Sequence, residues 1–186
     1  MKERLRKDEW HVRECLFDEA KRLIIKHHYA KGGSNTRVYT HGLYNNESGV
    51  LHGVAWWLPP TRVAAESVNK EEWKKVLSLT RLAMIPETPK NACSFLLAKS
   101  CRLIKDDGRF VSLVTYADEF MSHEGGIYKA SNWEYIGKTG PYTRWESGEG
   151  RQVAVKATKS RTKKEMLALG HKQTGRFFKH KYVLHL

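Results

Sequence analysis

The sequence predicts an α/β protein in which a mixed central sheet is flanked by helices and followed by a basic C-terminal extension. Residues 77–145 carry the strongest support, because they read as strand, tight loop, helix, strand, short helix, strand and strand. Hydrophobic residues make up 40% and aromatic residues 11% of the 186-residue chain, as is typical of a folded protein. The simplest organisation is one domain over residues 1–150 and a basic segment over residues 151–186.

The predicted elements are, in chain order, an ambiguous strand or helix lead-in at 11–16, a helix at 17–29, strands at 38–44 and 50–58, a helix at 61–75, a strand at 77–85, a helix at 91–105, a strand at 110–117, a helix at 123–131, and strands at 133–138 and 142–146. The first helix has apolar residues at helical spacing. The next two strands flank an Asn- and Gly-containing turn, and Pro59-Pro60 ends the second because proline cannot donate to a sheet. The polar helix that follows is expected to pack Trp73 inward.

The second half of the chain predicts a ligand site. A strand enters a helix through the short loop 86–90, and a second strand ends at polar residues. Ligands tend to bind at the carboxyl ends of parallel strands, and a loop that feeds directly into a helix offers free N–H groups to a phosphate. These residues therefore predict a phosphate-bearing cofactor and an enzyme.

The charge predicts a polyanionic partner, most often nucleic acid. The net charge is +13, and residues 151–186 hold ten basic residues but only one acidic residue, Glu165. A solvated tail is the alternative, although EMLALG has a helix-stop glycine and RFFKHKYVLHL alternates like a strand, which indicates a segment packed on the domain. Phe177, Phe178 and Tyr182 could stack on bases or lie in the core. The candidate contacts are Arg62, Lys159, Arg161, Lys163, Lys164, Lys172, Arg176, Lys179 and Lys181.

The sequence also indicates a cytoplasmic protein without a membrane span. No apolar run approaches the roughly 20 residues that cross a bilayer, and the basic N-terminus lacks the apolar region of a secretory signal. Cys15, Cys93 and Cys101 form neither a C-x-x-C pair nor a zinc pattern, so we expect reduced thiols.

Six stretches in this order resemble the Mom family of bacteriophage DNA-modification proteins, a divergent branch of the GNAT acyltransferase superfamily. They are His28-Tyr29, HGLYNNESGVLHGVAWWLPPTR at 41–62, LSLTRLAMIPETPKNACS at 77–94, VTYADEF at 114–120, GGIYKASNWEYIG at 125–137 and KHKYVLHL at 179–186. The resemblance implies a GNAT-like catalytic domain that adds an acetyl-CoA-derived group to the exocyclic amine of adenine in double-stranded DNA. It further implies protection of phage DNA from restriction in the cytoplasm of the infected bacterial host.

The resemblance also implies a site for the pyrophosphate of coenzyme A. The superfamily loop has the form Q/R-x-x-G-x-G/A at the start of the central helix, where this chain has Glu87-Thr88-Pro89-Lys90-Asn91-Ala92. The glutamate and the missing glycine depart from that form, whereas a lysine and a helix N-terminus favour an anion. The candidate cofactor-binding residues are Ile85, Lys90, Asn91, Ala92 and Ser94. Simple helix capping is an equally good interpretation of Asn91 and Ser94.

Asp118 is the first catalytic candidate, because it follows an apolar strand and is expected to face the crevice. Amine acylation needs a base or acceptor near the nucleophilic nitrogen, and the adenine amine is a poor nucleophile. The alternative for Asp118 is a helix or turn cap. Tyr128 occupies the place in GIYKA where many GNAT enzymes have the tyrosine that protonates the leaving thiolate; a core aromatic residue is the alternative.

His28 lies at the end of the first helix, where a histidine is commonly a cap. The resemblance implies that His28 faces the active site, beside Tyr29. His28 and Asp118 with a third ligand would form a histidine–carboxylate metal site, but the sequence has no H-x-D, H-E-x-x-H or cysteine cluster. The metal dependence stays open, and His123 is a spare candidate.

A flipped adenine could stack on an aromatic side chain near the site, the candidates being Trp56, Trp57, Tyr29 and Trp133. Core or rim positions are the alternative, and adjacent Trp56 and Trp57 should face opposite sides of the sheet. Two other functions stay open: a GNAT enzyme that acetylates a protein or small amine, and a non-catalytic DNA-binding protein on the same scaffold. The sequence leaves a monomer or a homodimer open.

Overall fold

The computed structural model of the protein describes residues 2–30, 32, 34–122, 124–153, 158 and 160–186. The strands are β1 Trp10–Glu14, β2 Tyr39–Asn45, β3 Leu51–Leu58, β4 Val76–Met84, β5 Ser112–Asp118, β6 Glu134–Lys138, β7 Tyr142–Glu146, β8 Lys172–Phe177 and β9 Lys179–His185. The α-helices are α1 Phe17–His27, α2 Arg62–Glu66, α3 Ala92–Asp107, α4 Gly126–Lys129 and α5 Lys163–Ala168. Short 3₁₀ turns occupy Lys7–Glu9, Trp73–Lys75 and Glu119–Met121. Among the described residues, no helix has the length and apolar character that crossing a bilayer requires.

Seven strands form one mixed sheet in the order β1-β2-β3-β4-β5-β9-β6, and β7 pairs with β8 in a separate hairpin. The β4–β5 pair is parallel and runs only from Val76 opposite Ser112 to Leu79 opposite Thr115. Beyond Leu79, β4 stays paired with β3, and beyond Thr115, β5 stays paired with β9 as far as Asp118. The sheet therefore opens between the carboxyl halves of its two parallel strands.

The two faces of the sheet bury separate cores. The face covered by α3 packs Trp57, Leu77 and Tyr182 with α3 residues, and the opposite face packs Trp56 against α1. Trp56 and Trp57 are both fully buried, one on each face, as strand alternation predicts. Within the α3-side core, the Trp57 indole N–H donates to the Ser100 hydroxyl at 2.8 Å, and Ser100 bonds His41 Nδ1 at 2.7 Å.

Most predicted elements of the core agree with the structure, but two helices are shorter than predicted. The helix predicted at 61–75 ends at Glu66, because the Asn69 side chain accepts from the Glu72 N–H at 2.9 Å in a turn. The helix predicted at 123–131 is reduced to Gly126–Lys129 among the described residues. The ambiguous segment at 11–16 falls in β1 and the residues that follow it.

The basic segment 151–186 is built into the fold. β9 lies between β5 and β6, and Tyr182 at its centre is fully buried. The boundary predicted at residue 150 therefore does not separate the sheet from an appended unit. All three cysteines are free, with Cys15 and Cys101 buried and Cys93 half-buried.

Candidate active site

A cavity of about 370 Å³ lies where β4 and β5 diverge. Leu79 and Thr80 of β4 line it, as do Thr115 and Tyr116 of β5. Adjacent residues of a strand face opposite sides of the sheet. The cavity is also lined by His28 and Tyr29 after α1 and by Cys93 of α3, so its walls include residues from both faces of the sheet.

The α3 side of the cavity contains Tyr128 and Cys93. Burial raises the pKa of Tyr128 to about 12, and the Thr115 hydroxyl partly offsets that shift. The Tyr128 ring also packs 5.3 Å from Tyr182 and 5.6 Å from Trp133, measured between ring centroids. Tyr128 is thus both a core aromatic residue and a protonated hydroxyl in the cavity, so the two interpretations of its sequence position are compatible.

Of the three cysteines, Cys93 is the one that lines the cavity. Burial raises the pKa of Cys93 to about 11. The thiol is therefore protonated at neutral pH, and only the thiolate is a strong nucleophile. This chemistry disfavours an acyl-cysteine intermediate at Cys93.

The α1 side of the cavity is formed by His28 and Tyr29, which follow α1 directly. His28 is buried, and its Nδ1 accepts the Ala30 N–H at 3.1 Å, so the proton of the neutral ring lies on Nε2. The rings of His28 and Tyr29 lie 4.3 Å apart. The structure thus brings both candidates together at the cavity, although the backbone N–H of His28 also ends α1 as the cap interpretation predicts.

Asp118 lies beside the cavity rather than on its wall. Its carboxylate is buried, and Oδ1 accepts from the Phe120 N–H at 3.1 Å and from the Tyr142 hydroxyl at 2.6 Å. The Phe120 contact confirms the turn-cap interpretation of Asp118. Within the described part of the chain, no residue donates to Oδ2, so that oxygen is the one that can accept a further proton or hydrogen bond.

Electrostatic coupling links Asp118 to the cavity wall. Burial raises the pKa of Tyr29, and the negative charge of Asp118 raises it further, whereas Arg81 and Arg144 lower it. Burial likewise raises the pKa of Tyr142, as does its hydrogen bond to Asp118. Asp118, Tyr29 and Tyr142 therefore form one interacting group, in which Tyr29 lines the cavity.

Sequence reasoning missed two arginines whose charges act on Tyr29. Arg81 lines the cavity, and its Nε donates to the Gly32 carbonyl at 3.0 Å. No carboxylate among the described residues lies within ion-pair distance of Arg81. Arg144 is buried, and its guanidinium lies 3.6 Å from the centre of the Phe120 ring. Neither arginine is identifiable from local sequence, because each reaches the site only through the tertiary fold.

The loop before α3 lacks the glycine of the GNAT phosphate-binding form and has Asn91 as its last residue. Asn91 adopts a left-handed conformation with φ 66°, which asparagine tolerates better than most residues and which glycine usually supplies. Asn91 is the N-cap residue of α3, as the capping interpretation predicts, but its side chain makes no capping hydrogen bond. Within the described residues, the N–H groups of Cys93 and Ser94 have no acceptor, and such groups can bind an anion.

Three of the remaining cofactor-binding candidates lie at the start of α3, and the fourth lies elsewhere. Lys90 is exposed at the approach to α3, Ala92 is buried in its first turn, and the Ser94 hydroxyl donates to the Asn91 carbonyl at 2.9 Å. The Ile85 side chain packs against the α1-side core and does not line the cavity. The structure therefore brings the first turn of α3, but not the Ile85 side chain, to the candidate cofactor site.

Of the base-stacking candidates, only Tyr29 is accessible. Trp56 and Trp57 are fully buried and Trp133 is nearly so. For a metal, no cluster of three His, Cys, Asp or Glu side chains occurs among the described residues. His123 lies outside those residues.

Most of the basic candidates for nucleic-acid contact lie on one structural unit. We define the C-terminal lobe as β7, α5 and β8. The exposed candidates of this lobe and its approach are Arg161, Lys163, Lys164, Lys172 and Arg176. Lys159 lies outside the described residues.

Three other basic candidates contact the protein itself. Arg62 forms an ion pair with Glu66 at 2.7 Å. Lys181 donates to the Ser67 hydroxyl at 2.8 Å, and burial lowers its pKa. The Lys179 ammonium lies 5.2 Å from the centre of the Tyr142 ring. The Lys181 contact holds its side chain against the end of α2, whereas the Arg62 ion pair lies within α2.

Solved acetyltransferases share the whole architecture. The N-acetyltransferase from Staphylococcus aureus Mu50 is 13% identical, with a TM-score of 0.55 over 95% of this chain and 98% of that chain. An acetyltransferase of the GNAT family from Streptococcus pneumoniae is 11% identical, with a TM-score of 0.57 over 96% and 100%. The Salmonella typhimurium protein yncA, solved with its cofactor acetyl-CoA, is 9% identical, with a TM-score of 0.57 over 96% and 94%. The chain therefore has the GNAT acetyltransferase fold.

A narrower assignment comes from the sequence itself. The model of the Mom protein family matches residues 9–186, nearly the whole chain. The chain belongs to the Mom protein family. Sequence comparison with curated proteins gives no match.

Proposed function

We propose that the protein transfers an acetyl-CoA-derived group to the exocyclic amine of adenine in double-stranded DNA. The observation that carries this proposal is the cavity between β4 and β5, which is lined by residues from both faces of the sheet. Such a cavity lets a donor approach from the α3 side and an acceptor approach from the α1 side. Membership of the Mom family and the GNAT fold support the same reaction class.

The α3 side has the groups that a coenzyme A thioester requires. The N–H groups of Cys93 and Ser94, with the Lys90 ammonium nearby, would hold the pyrophosphate. Bound acetyl-CoA would supply an activated acyl carbon at the opening in the sheet. The protonated Tyr128 hydroxyl in the cavity can donate a hydrogen bond to the departing thiolate.

The α1 side has the groups that a weakly nucleophilic amine requires. Asp118 supplies a buried carboxylate whose Oδ2 can accept the amine proton. Tyr29 offers a half-exposed ring on which a flipped base can stack, and the ring of buried His28 lies beside it at 4.3 Å. Proton removal and orientation are therefore assigned to the acceptor side of the sheet.

The charge distribution supports DNA as the acceptor. The net charge of +13 favours a polyanion over a basic peptide. Exposed Arg161 and Lys163 line a surface pocket together with Tyr142, which bonds Asp118. We propose that these cations bind the DNA backbone while the target adenine enters the cavity, and that the product resists host restriction in the infected bacterial cytoplasm.

Mass spectrometry of nucleosides from cells that express the protein tests this function. The wild type and the matched variant Asp18→Asn, which alters an exposed carboxylate of α1, should yield a new adenine derivative. Asp118→Asn should abolish the derivative while DNA affinity is retained. Unmodified adenine with intact DNA binding would instead indicate a binding protein on this scaffold, and acetylation of protein or small amines would indicate a different acceptor.

A further inference from the structure

A second cleft, of about 770 Å³, lies on the outer side of α3. One wall is α3 from Asn91 to Arg102, and residues 130–132 form another. The third wall is an N-terminal segment that contributes Arg4 and Lys7. This segment precedes residue 9, where the match to the Mom family model begins.

Backbone hydrogen bonds hold the N-terminal segment against the loop before α3. The Leu5 N–H donates to the Lys90 carbonyl at 3.0 Å, and the Lys90 N–H donates to the Glu3 carbonyl at 2.9 Å. The Lys2 ammonium also donates to the Pro86 carbonyl. These contacts fix the backbone around Arg4, so its side chain can be removed without loss of the pairing.

The cleft is lined by four cations and by no carboxylate. The cations are Arg4, Lys7, Lys99 and Arg102. Only Arg102 has a carboxylate within ion-pair distance among the described residues, that of Asp106 at 3.9 Å. By contrast, neighbouring Arg6 pairs with both Asp8 and Glu9 and does not line the cleft. The concentration of unneutralised positive charge in a concave surface favours an anionic ligand.

The first turn of α3 connects this cleft with the cavity in the sheet. Cys93 lines the cavity, whereas Asn91 and Ser94 line the cleft. A ligand that has its reactive end in the cavity and a pyrophosphate at the N–H groups of Cys93 and Ser94 would extend its remaining part into the cleft. A second anionic group on such a ligand, beyond its pyrophosphate, would lie among the cations of the cleft.

We propose that this cleft binds the 3′-phosphate of the adenosine portion of acetyl-CoA, with Arg4, Lys7 and Lys99 as its principal cations. The proposal rests on acetyl-CoA as the donor in the proposed function. A phosphate monoester is a compact dianion, and charge-assisted hydrogen bonds from arginine and lysine are the contacts that recognise it. The N-terminal segment is then a specificity element that distinguishes coenzyme A thioesters from their dephospho forms.

Calorimetric titration of the full-length protein with acetyl-CoA and with acetyl-dephospho-CoA tests the proposal without an activity assay. We expect the wild type to bind acetyl-CoA about 10- to 100-fold more tightly, which corresponds to a few charge-assisted contacts. Arg4→Ala, Lys7→Ala and Lys99→Ala should each weaken acetyl-CoA binding several-fold and leave the dephospho form unaffected. Lys105→Ala is the matched control, because Lys105 is exposed on α3 but does not line the cleft.

Three results would overturn the proposal. Equal affinity of the wild type for the two ligands would show that the 3′-phosphate is not recognised. Variants that weaken DNA binding but leave the ratio of the two affinities unchanged would assign the cleft to nucleic acid. If neither ligand binds, both this proposal and the donor assigned in the proposed function are overturned. Equal affinity for the two ligands, by contrast, overturns this proposal alone.

Discussion

The hydrogen bond from Tyr142 to Asp118 gives the sharpest test of the acceptor side. The hydroxyl lies 2.6 Å from Oδ1 of a buried carboxylate, and no other side chain among the described residues donates to that oxygen. Tyr142→Phe removes this donor and leaves the ring. Hydrogen bonds to charged groups contribute about 1.5–3 kcal/mol, and each 1.4 kcal/mol of barrier is about tenfold in rate. We therefore expect the rate of adenine modification to fall about 10- to 100-fold.

The assay follows formation of the modified nucleoside in extracts that contain the variant, acetyl-CoA and plasmid DNA. Because Tyr142 orients Asp118 and is not assigned a contact with either substrate, kcat should fall while both KM values stay close to those of the wild type. Tyr135→Phe is the matched control, since Tyr135 is an exposed tyrosine whose hydroxyl, among the described residues, bonds half-buried His180 and not Asp118. A wild-type rate for Tyr142→Phe, or a loss explained entirely by weaker DNA binding, would refute the positioning role.

Three further predictions concern the core and the cavity. Burial lowers the pKa of His41 from 6.5 to about 4, so the unfolded state binds more protons than the folded state between these pH values. Urea denaturation should therefore show the free energy of unfolding falling by up to about 3 kcal/mol as the pH drops from 6.5 to 4. A flat pH profile would contradict the assignment. With its pKa raised to about 11, Cys93 should react with maleimide at pH 7.5 about 100-fold more slowly than a free thiol, whereas rapid labelling in a peptide map would show a thiolate. Gly125 has φ 73°, and a Cβ there would overlap the Tyr182 ring, so Gly125→Ala should lower the free energy of unfolding by about 2–4 kcal/mol. Gly126→Ala is the control and should be close to neutral, because a Cβ at Gly126 meets open space. Equal stabilities of the two variants would refute the packing argument.

The sequence predicts the central α/β unit well because its signals are local. The strand predicted at 77–85 and the helix predicted at 91–105 match β4 and α3 within two residues at each end. Both have long apolar patterns, which tertiary contacts reinforce. The helix predicted at 61–75 failed because a single side chain, Asn69, offers the backbone a competing turn.

The sequence predicted those residues of the candidate site that lie at or near the end of a helix. His28, Tyr29 and Tyr128 lie at element ends, and the structure brings all three to one cavity. The contact between Tyr142 and Asp118 joins residues 24 positions apart, and it depends on the hairpin of β7 and β8 folding back. No local pattern records such a contact.

The N-terminal cations show the same limit. Arg4 and Lys7 stand in a short charged stretch whose composition resembles many solvated termini. Their placement beside α3 comes from backbone pairing with Lys90, which no side-chain pattern encodes. The loop before α3 shows a different limit. A search for the glycine motif would reject this loop, although Asn91 adopts the left-handed conformation that glycine commonly supplies.

Transfer of isotopic label from acetyl-CoA to DNA tests the central claim most directly. Extracts of cells that contain the protein are incubated with plasmid DNA and acetyl-CoA labelled in its acetyl carbons, and the nucleosides are then analysed by mass spectrometry. We predict an adenine derivative that carries the label with the wild-type protein and is absent with Asp118→Asn. A derivative without label would contradict the assigned donor, and label-free, unmodified adenine despite intact DNA binding would contradict the enzymatic function itself.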